Sequence, residues 1–464
     1  MKISRLILYI FSTTLIYSCG VDRTYEFEEM TNDDKWIEGI MQEHYLWYDN
    51  MSETSFDDYF ATADEFLQTI MFKGSTSEKA DQYSYVVVKD SSIINSGNYI
   101  KNKSTYGFDF ELIKDPTQTT AHTLARVLYV LPNSPAYEAG LKRGDWISEV
   151  MGERVTNDNY AYLMDGYAKE FTVRDITSVD GEPAWINERK IEIQASRKVE
   201  NNPFFVDTTY TVGGKKIAYL VYNKFSTGPD DNSKDTQYLN NMKQIFSKFK
   251  GEAPSEFILD LRYNTGGYLT CAQELASMLA PSTALGKTFL TLKYNDKTTP
   301  QNVSYDFIND LSAYNLNLKK IYILTSSFTA SASEAVINCL KPYMGDDNVI
   351  IIGEKTVGKN VALEPFTTDN LKFVLWPVVA YVLNSNGSGD YSTGINPTYA
   401  ISERSYSGSL LPLGDINELL LKNTISLITS GTMPDYTMSK VNVQGTSELK
   451  SSISLRNPIG FKIK

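Results

Sequence analysis

The spacing of hydrophobic positions divides the chain into three parts that predict different structures. From Thr31 to about Phe72 apolar residues recur every three or four positions, which predicts amphipathic helices. From about Asn98 to Val199 short apolar runs alternate with turn residues, which predicts a β-rich unit. From Lys216 onwards strand-like apolar runs alternate with helical spacing, a pattern typical of an α/β unit. The sequence therefore predicts an α/β (α+β) multidomain fold.

The predicted domain boundaries follow these changes of pattern. They are 1–18 for a targeting signal, 19–30 for a tether, 31–95 for an N-terminal helical region, 96–200 for the β-rich domain, 205–430 for the α/β core and 431–464 for a polar tail without a predicted function. We expect the helical region to be a small cap that packs on the next domain. His44 lies in this region and is expected to be a packed or surface residue.

The first residues have the pattern of a targeting segment. Lys2 and Arg5 are followed by an apolar stretch from Leu6 to Ile16, which is too short to span a bilayer. The stretch ends in LIYSCG, which resembles a bacterial lipoprotein signal. That resemblance implies lipidation of Cys19, a membrane lipid anchor, and a place in the bacterial cell envelope facing the periplasm or cell surface. A plain secretory signal is the alternative.

Charge and rare residues narrow the function. The formal net charge of the 464 residues is −12, which argues against nucleic acid as a partner. The two histidines, His44 and His122, lie near no serine cluster, so a Ser-His-Asp triad has weak support. Cys271 and Cys339 have apolar neighbours; we expect buried thiols, and a disulfide remains possible.

A run of small residues, Thr329–Ala335, lies between a predicted strand at Ile321–Leu324 and a predicted helix. Small neighbours would let a substrate carbonyl approach Ser331 closely. Amides at the start of the helix could stabilise an oxyanion there. The alternative is a serine-rich helix N-cap without chemistry.

Two further predicted strands end in turns that suit the same chemistry. Glu256–Arg262 runs into the paired glycines of Tyr263–Gly267, which allow close backbone approach to a ligand. Asn348–Ile352 runs into a loop containing Lys355 and Lys359. A lysine can activate a serine only when neutral, and its ordinary pKa of about 10.4 must fall through burial.

The β-rich region contains SPAYEAGLKRGD, starting at Ser134, which predicts a capped short helix closed by Gly140 and then a turn. This string closely resembles the core of a PDZ domain of bacterial proteases. The resemblance implies that Tyr106, Gly107, Phe108 and Asp109 form a loop that binds a terminal carboxylate, beside which a peptide adds as a strand. A simple bulge or turn at Gly107 is the alternative.

The chain resembles the C-terminal processing peptidases, or tail-specific proteases. It contains three of their motifs in the order typical of that family: SPAYEAGLKRGD, ILDLRYNTGG, and TASASEA followed by GEKTVGKN. The resemblance implies a serine endopeptidase with Ser331 as nucleophile and Lys359 as general base. It assigns the oxyanion to the amides of Ala332 and of Gly266 or Gly267. The implied partners are proteins or peptides with free C-termini, and no cofactor or metal is implied.

Two positions keep alternatives open. Relatives often carry a glutamine four residues after the lysine, where this chain has Leu363. A catalytically inactive, lipid-anchored scaffold that binds envelope proteins is therefore the alternative function. Lys355 is the second candidate for the general base.

Overall fold

The fold is taken from a computed structural model, in which strands and helices are numbered here in chain order. The model describes residues 24–75, 79–89, 104–117, 122–180, 182–229, 234–406, 408–434, 450–453 and 461–463. Among these residues, no helix combines the length and apolar character needed to cross a membrane. The signal peptide and Cys19 lie outside the described residues.

The N-terminal unit is mainly helical, as the sequence predicts. It contains α1 (Thr24–His44), α2 (Ala63–Ile70) and β1 (Tyr85–Val88). The start of α2 is fixed by a capping box, in which the Glu65 N–H donates to the Thr62 hydroxyl and the Thr62 N–H donates to the Glu65 carboxylate.

The next unit is an antiparallel sheet with strand order β3-β4-β5-β7-β8, in which β3 is an edge strand. Its elements are β2 (Ser104–Thr105), β3 (Phe108–Lys114), β4 (Thr123–Val130), α3 (Pro135–Glu138), β5 (Trp146–Val150), β6 (Glu153–Arg154), β7 (Lys169–Val179), β8 (Glu182–Ile193) and β9 (Arg197–Lys198). The predicted short helix is capped by the Ser134 hydroxyl, which accepts from the Tyr137 N–H.

The third unit is the α/β core. Its elements are β10 (Phe204–Val212), β11 (Lys215–Tyr222), α4 (Gln237–Glu252), β12 (Glu256–Asp260), β13 (Gly267–Tyr268), α5 (Leu269–Leu279), β14 (Thr288–Tyr294), β15 (Val303–Asp306), β16 (Ile321–Thr325), α6 (Ala332–Met344), β17 (Val349–Gly353), β18 (Val361–Leu363), β19 (Phe373–Trp376), β20 (Val378–Asn384), β21 (Tyr399–Ala400), α7 (Leu419–Ser430) and β22 (Phe461–Lys462). The strands predicted before the glycine turn, the serine turn and the lysine loop are confirmed as β12, β16 and β17, with bounds that agree within two residues.

The topology of the main sheet brings the three motif turns together. Its strand order is β10-β11-β12-β16-β17-β21, and every neighbouring pair except β10 with β11 is parallel. Because β12, β16 and β17 are adjacent and parallel, their carboxyl ends lie at one edge, where ligand sites of such sheets form. A second sheet, of order β13-β22-β18-β20-β14-β15, lies beside this edge.

The prediction that the helical cap packs on the next domain is wrong. Its apolar residues, including Ile37 and Phe66, share a buried cluster with Leu363 and Phe373 of the core. In addition, β1 pairs antiparallel with β19. The cap covers the core because β18 to β20 present an apolar face there, and neighbouring positions in sequence do not have to be neighbours in space.

Candidate active site

The loops after β12, β16 and β17 are joined to one another by backbone hydrogen bonds. The Ala330 N–H donates to the Asn264 carbonyl at 3.1 Å, and the Val357 N–H donates to the Thr329 carbonyl at 3.0 Å. The middle loop thus contacts the glycine turn on one side and the lysine loop on the other. The glycine turn, the serine turn and the lysine loop singled out in the sequence therefore form one site.

Ser331 occupies the turn between β16 and α6 in an uncommon conformation. Its φ of 61° is positive, which is strained for a residue other than glycine and is characteristic of functional turns. The residue is buried, and its Oγ has no hydrogen-bond partner among the described residues. The structure therefore holds a buried hydroxyl whose hydrogen-bonding capacity is not used.

Gly266 lies directly against this serine. A Cβ added to Gly266 would lie 2.7 Å from the Ser331 Cβ and 3.1 Å from the Ala332 nitrogen, and its φ is +106°. Only glycine fits between the two loops. Its own N–H donates to Asn264 Oδ1 at 2.9 Å. Gly267, the next residue, begins β13.

Glu334 connects the serine to the lysine loop, and sequence reasoning missed it. Its Oε2 accepts from the N–H groups of both Ser331 and Lys359, each at 2.8 Å. Its Oε1 accepts from the Gly358 N–H at 2.7 Å and the Thr356 hydroxyl at 2.5 Å. Two nitrogens that donate to the same oxygen cannot be farther apart than twice the hydrogen-bond distance. The backbones of Ser331 and Lys359 are therefore adjacent.

The Glu334 carboxyl is completely buried. Burial raises its pKa above the ordinary value, against the lowering effect of its hydrogen-bond donors. A sequence signal for this residue exists, because a glutamate three positions after a helix N-cap is the spacing of a capping box. Its partners on the lysine loop, however, come only from the tertiary fold.

Lys359 is the buried lysine of the site, with 1% of its surface exposed. Burial lowers the pKa of its ammonium from 10.5 to about 7, although the negative charges of Asp81 and Glu334 oppose this shift. The Nζ lies 4.6 Å from the centre of the Tyr83 ring. About half of such lysines are neutral at pH 7, which is the form that can accept a proton.

Asp81 and Tyr83 come from the N-terminal unit, and nothing in the sequence predicted their position. Asp81 is fixed by the Tyr45 hydroxyl at 2.8 Å and by the N–H groups of Tyr83 and Ser84 at 2.8 and 3.1 Å. Burial raises the pKa of Tyr83 to about 12, so its ring stays neutral beside the lysine. Their contribution could not be predicted because the cap was expected to pack on a different domain.

The other sequence candidates lie in different surroundings. Lys355 is exposed, and its side chain lies against Gly394. The Leu363 side chain is buried in the cluster shared with the cap. The His44 ring packs 4.6 Å from the Phe366 ring. In the described ranges, no group of three or more His, Cys, Asp or Glu is arranged to bind a metal.

Arg262 belongs to a buried ion network. Its guanidinium contacts Asp260, Glu403 and Glu418 at 2.7 Å each. Arg143 of the β-rich unit donates to the same Glu403 and Glu418. The network therefore links that unit to the end of β12, next to the glycine turn.

Comparisons with known proteins identify the three units of the chain. The model of peptidase family S41 matches residues 216–401, a PDZ domain model matches 126–174, and the S41 N-terminal domain model matches 32–85. A solved structure from Bacteroides fragilis, assigned to the S41 proteases, is 34% identical, with a TM-score of 0.75; the match covers 86% of this chain and 97% of that chain. The chain belongs to peptidase family S41.

Another solved structure that the chain is similar to is the photosystem II D1 C-terminal processing protease. It is 17% identical, with a TM-score of 0.47, and the match covers 85% of this chain and 98% of that chain. No curated protein sequence matches the chain significantly.

In this S41 family member the predicted carboxylate loop starts the edge strand of the PDZ domain. Gly107 has a φ of +86°, and its N–H donates to the Thr105 hydroxyl at 2.9 Å. The Tyr106 hydroxyl donates a hydrogen bond to Asp165 Oδ1 at 3.1 Å, and the Phe108 side chain packs in the core of the domain. The Asp109 carboxylate accepts from the Ser452 hydroxyl. The chain's own tail thus contacts this loop.

Proposed function

We propose that this S41 family member is a serine endopeptidase that cleaves proteins with a Ser331–Lys359 dyad. The observation that carries the proposal is the Glu334 carboxylate, which holds the backbones of both residues on one oxygen. Support also comes from the unused Ser331 hydroxyl and from the low pKa of about 7 for Lys359. Ser331 Oγ makes no hydrogen bond in the described structure, and such bonds often form only when substrate binds.

In the proposed reaction, the neutral Lys359 amine accepts the proton of Ser331 Oγ as the oxygen attacks the peptide carbonyl. The resulting oxyanion would accept hydrogen bonds from the amides of Ala332 and Gly267. Gly267 is the better candidate of the two glycines, because the Gly266 N–H is already donated to Asn264. The lysine ammonium then protonates the leaving amine, and water releases the acyl group by the reverse proton transfers.

The substrates we propose are proteins with accessible C-terminal tails, bound as an added strand on the PDZ edge strand β3. Support comes from the match to a PDZ model and from the place of β3 at the edge of its sheet. We also propose that Cys19 carries a lipid that holds the protein in the cell envelope. Labelled fatty acid should enter the wild type, and its equal incorporation into Cys19→Ser would exclude this anchor.

Digestion of casein and of a peptide with a free C-terminus tests the dyad. Ser331→Ala and Lys359→Ala should each abolish cleavage and stay folded. Lys355→Ala is the matched control, because this exposed lysine of the same loop should be dispensable. Cleavage that persists in Ser331→Ala would exclude the assigned nucleophile, and loss in Lys355→Ala with activity in Lys359→Ala would reassign the base.

A fluorophosphonate probe followed by peptide mapping identifies the activated serine directly. Labelling of Ser331 that needs Lys359 supports the dyad. If the folded wild type binds tailed peptides but neither cleaves them nor takes up the probe, the protein is the inactive scaffold of the alternative function.

A further inference from the structure

Two short pieces of the predicted tail lie on the surfaces where a peptide substrate would be expected. The first, residues 450–453, pairs with β3. The Leu112 N–H donates to the Lys450 carbonyl at 2.9 Å, and the Phe110 N–H donates to the Ser452 hydroxyl at 2.9 Å. This piece makes one antiparallel bridge, between Ser451 and Glu111, at the free edge of the PDZ sheet.

The direction of this piece matches that of a ligand approaching the carboxylate loop. It runs antiparallel to β3, so that Lys450 lies beside Leu112 and Ser452 beside Asp109, close to Gly107. Its last three side chains are buried, with Ser452 0% and Ile453 2% exposed, whereas Lys450 is exposed. The contact is therefore a packed one and not a loose surface association.

The second piece forms β22 and lies in a slot beside the candidate nucleophile. It pairs in parallel with β13 on one side and with β18 on the other. Within the described sheet, β22 is the link between these two strands. The strand β13, on one side of the slot, begins directly after Gly266. The strand β18, on the other side, begins two residues after Lys359.

The slot holds its occupant through backbone pairing on both sides and through the Ile463 side chain, which packs on the core cluster. An extended chain placed between two strands can exchange hydrogen bonds on both edges, which gives affinity with little dependence on sequence. The Lys462 side chain adds contacts, since its Nζ lies 5.4 Å from the Tyr268 ring and 5.7 Å from the Trp376 ring. The slot thus suits an extended peptide.

We propose that these two pieces, here called the tail segment (residues 450–453 and 461–463), are an intramolecular ligand of the peptide-binding track. The tail segment fills the PDZ edge and the slot beside Ser331, so that a protein substrate must displace it. This rests on the proposed function, because the track is identified by its position next to the proposed dyad. A tethered ligand competes at a high effective concentration, which makes displacement a control point.

The test cuts the tether in the folded protein. A recognition site for a sequence-specific protease is placed within residues 435–449, the purified protein is cut, and hydrolysis of an unstructured substrate is followed after dilution. We expect the cut protein to become at least about tenfold faster than the uncut one, because a non-covalent ligand is lost on dilution. A synthetic peptide of residues 450–463 should restore the low rate competitively.

Matched variants of the uncut chain provide the second measurement. Lys462→Pro removes a backbone donor from β22 and should raise the rate, whereas Lys462→Ala keeps the backbone and should change it less. A cut protein that stays slow after the peptide has left, or a folded Lys462→Pro that is no faster than Lys462→Ala, overturns the proposal.

Binding separates this inference from the proposed function. In cut Ser331→Ala, a fluorescent peptide of residues 450–463 should bind saturably and be displaced by other extended peptides. If no form of the protein hydrolyses substrate but this competition is seen, the proposed function fails and the intramolecular ligand stands. If the fluorescent peptide does not bind, or other peptides cannot displace it, the tail segment is a structural strand only.

Discussion

Replacing Lys359 by methionine should make the protein inactive and more stable. Methionine keeps the length and apolar stem of the side chain and removes the charge. The folded protein lowers the lysine pKa from 10.5 to about 7 because the group is completely buried. Each pH unit corresponds to about 1.4 kcal/mol, so the charged form is disfavoured by about 5 kcal/mol in the folded state.

The sign of the pH dependence follows from this depressed pKa. Below pH 7 the lysine is protonated in both states, and the folded state carries the full cost of the buried charge. Between pH 7 and 10.5 the unfolded chain binds more protons than the folded one, so stability rises with pH. The advantage of methionine should therefore be about 2–4 kcal/mol at pH 6, after imperfect packing is allowed for, and should fall by about 3 kcal/mol by pH 9.

Calorimetric unfolding at pH 6 and pH 9 measures both effects, with Lys355→Met as the control. That exposed residue should change stability by no more than about 0.5 kcal/mol at either pH. A methionine variant less stable than the wild type at pH 6, or equally stabilised at both pH values, would refute the account of Lys359 as a desolvated base.

Three further predictions follow, two for the surroundings of the dyad and one for the PDZ loop. Glu334→Gln replaces an acceptor oxygen by an N–H₂ group that faces backbone donors. We therefore expect kcat/KM to fall at least about 100-fold and the melting temperature to fall as well. Unchanged kinetics would show that Glu334 does not position the dyad. Asp81→Asn removes a charge that raises the pKa of Lys359, so the acidic limb of the kcat/KM profile should move to lower pH, and a move to higher pH would contradict the electrostatics. Gly107→Ala would place a Cβ 2.1 Å from the Ser134 Cβ, at a residue whose φ is +86°. Binding of tailed peptides, measured by fluorescence anisotropy, should therefore weaken strongly. The rate of cleavage of short untailed peptides should change far less. Equal loss for both peptide types would show that the substitution acts beyond the PDZ domain.

The motif turns could be predicted because their signals are local. The strand before Ser331, the small residues around it and the helix after it are all visible within about 25 positions. The paired glycines and the lysine loop likewise follow recognisable buried strands. A parallel α/β sheet then requires such turns to meet at one edge, so sequence was sufficient to propose Ser331 and Lys359.

The surroundings of the lysine could not be predicted in the same way. Asp81 and Tyr83 reach it because the N-terminal cap packs on the core, which no local pattern specifies. Glu334 has the spacing of a helix cap, but its bond to the Lys359 backbone joins two loops. Leu363 takes part in the apolar cluster under the cap, so its environment also depends on that packing.

The amino-acid sequence by itself determined which elements form, which family the chain resembles and which side chains can carry the chemistry, since these depend on periodicity and short motifs. Only the tertiary structure decided how far the lysine is desolvated, which carboxylate ties its loop to the serine, and where the tail lies. These properties arise from burial and from contacts between segments distant in sequence, and both exist only after the chain has folded.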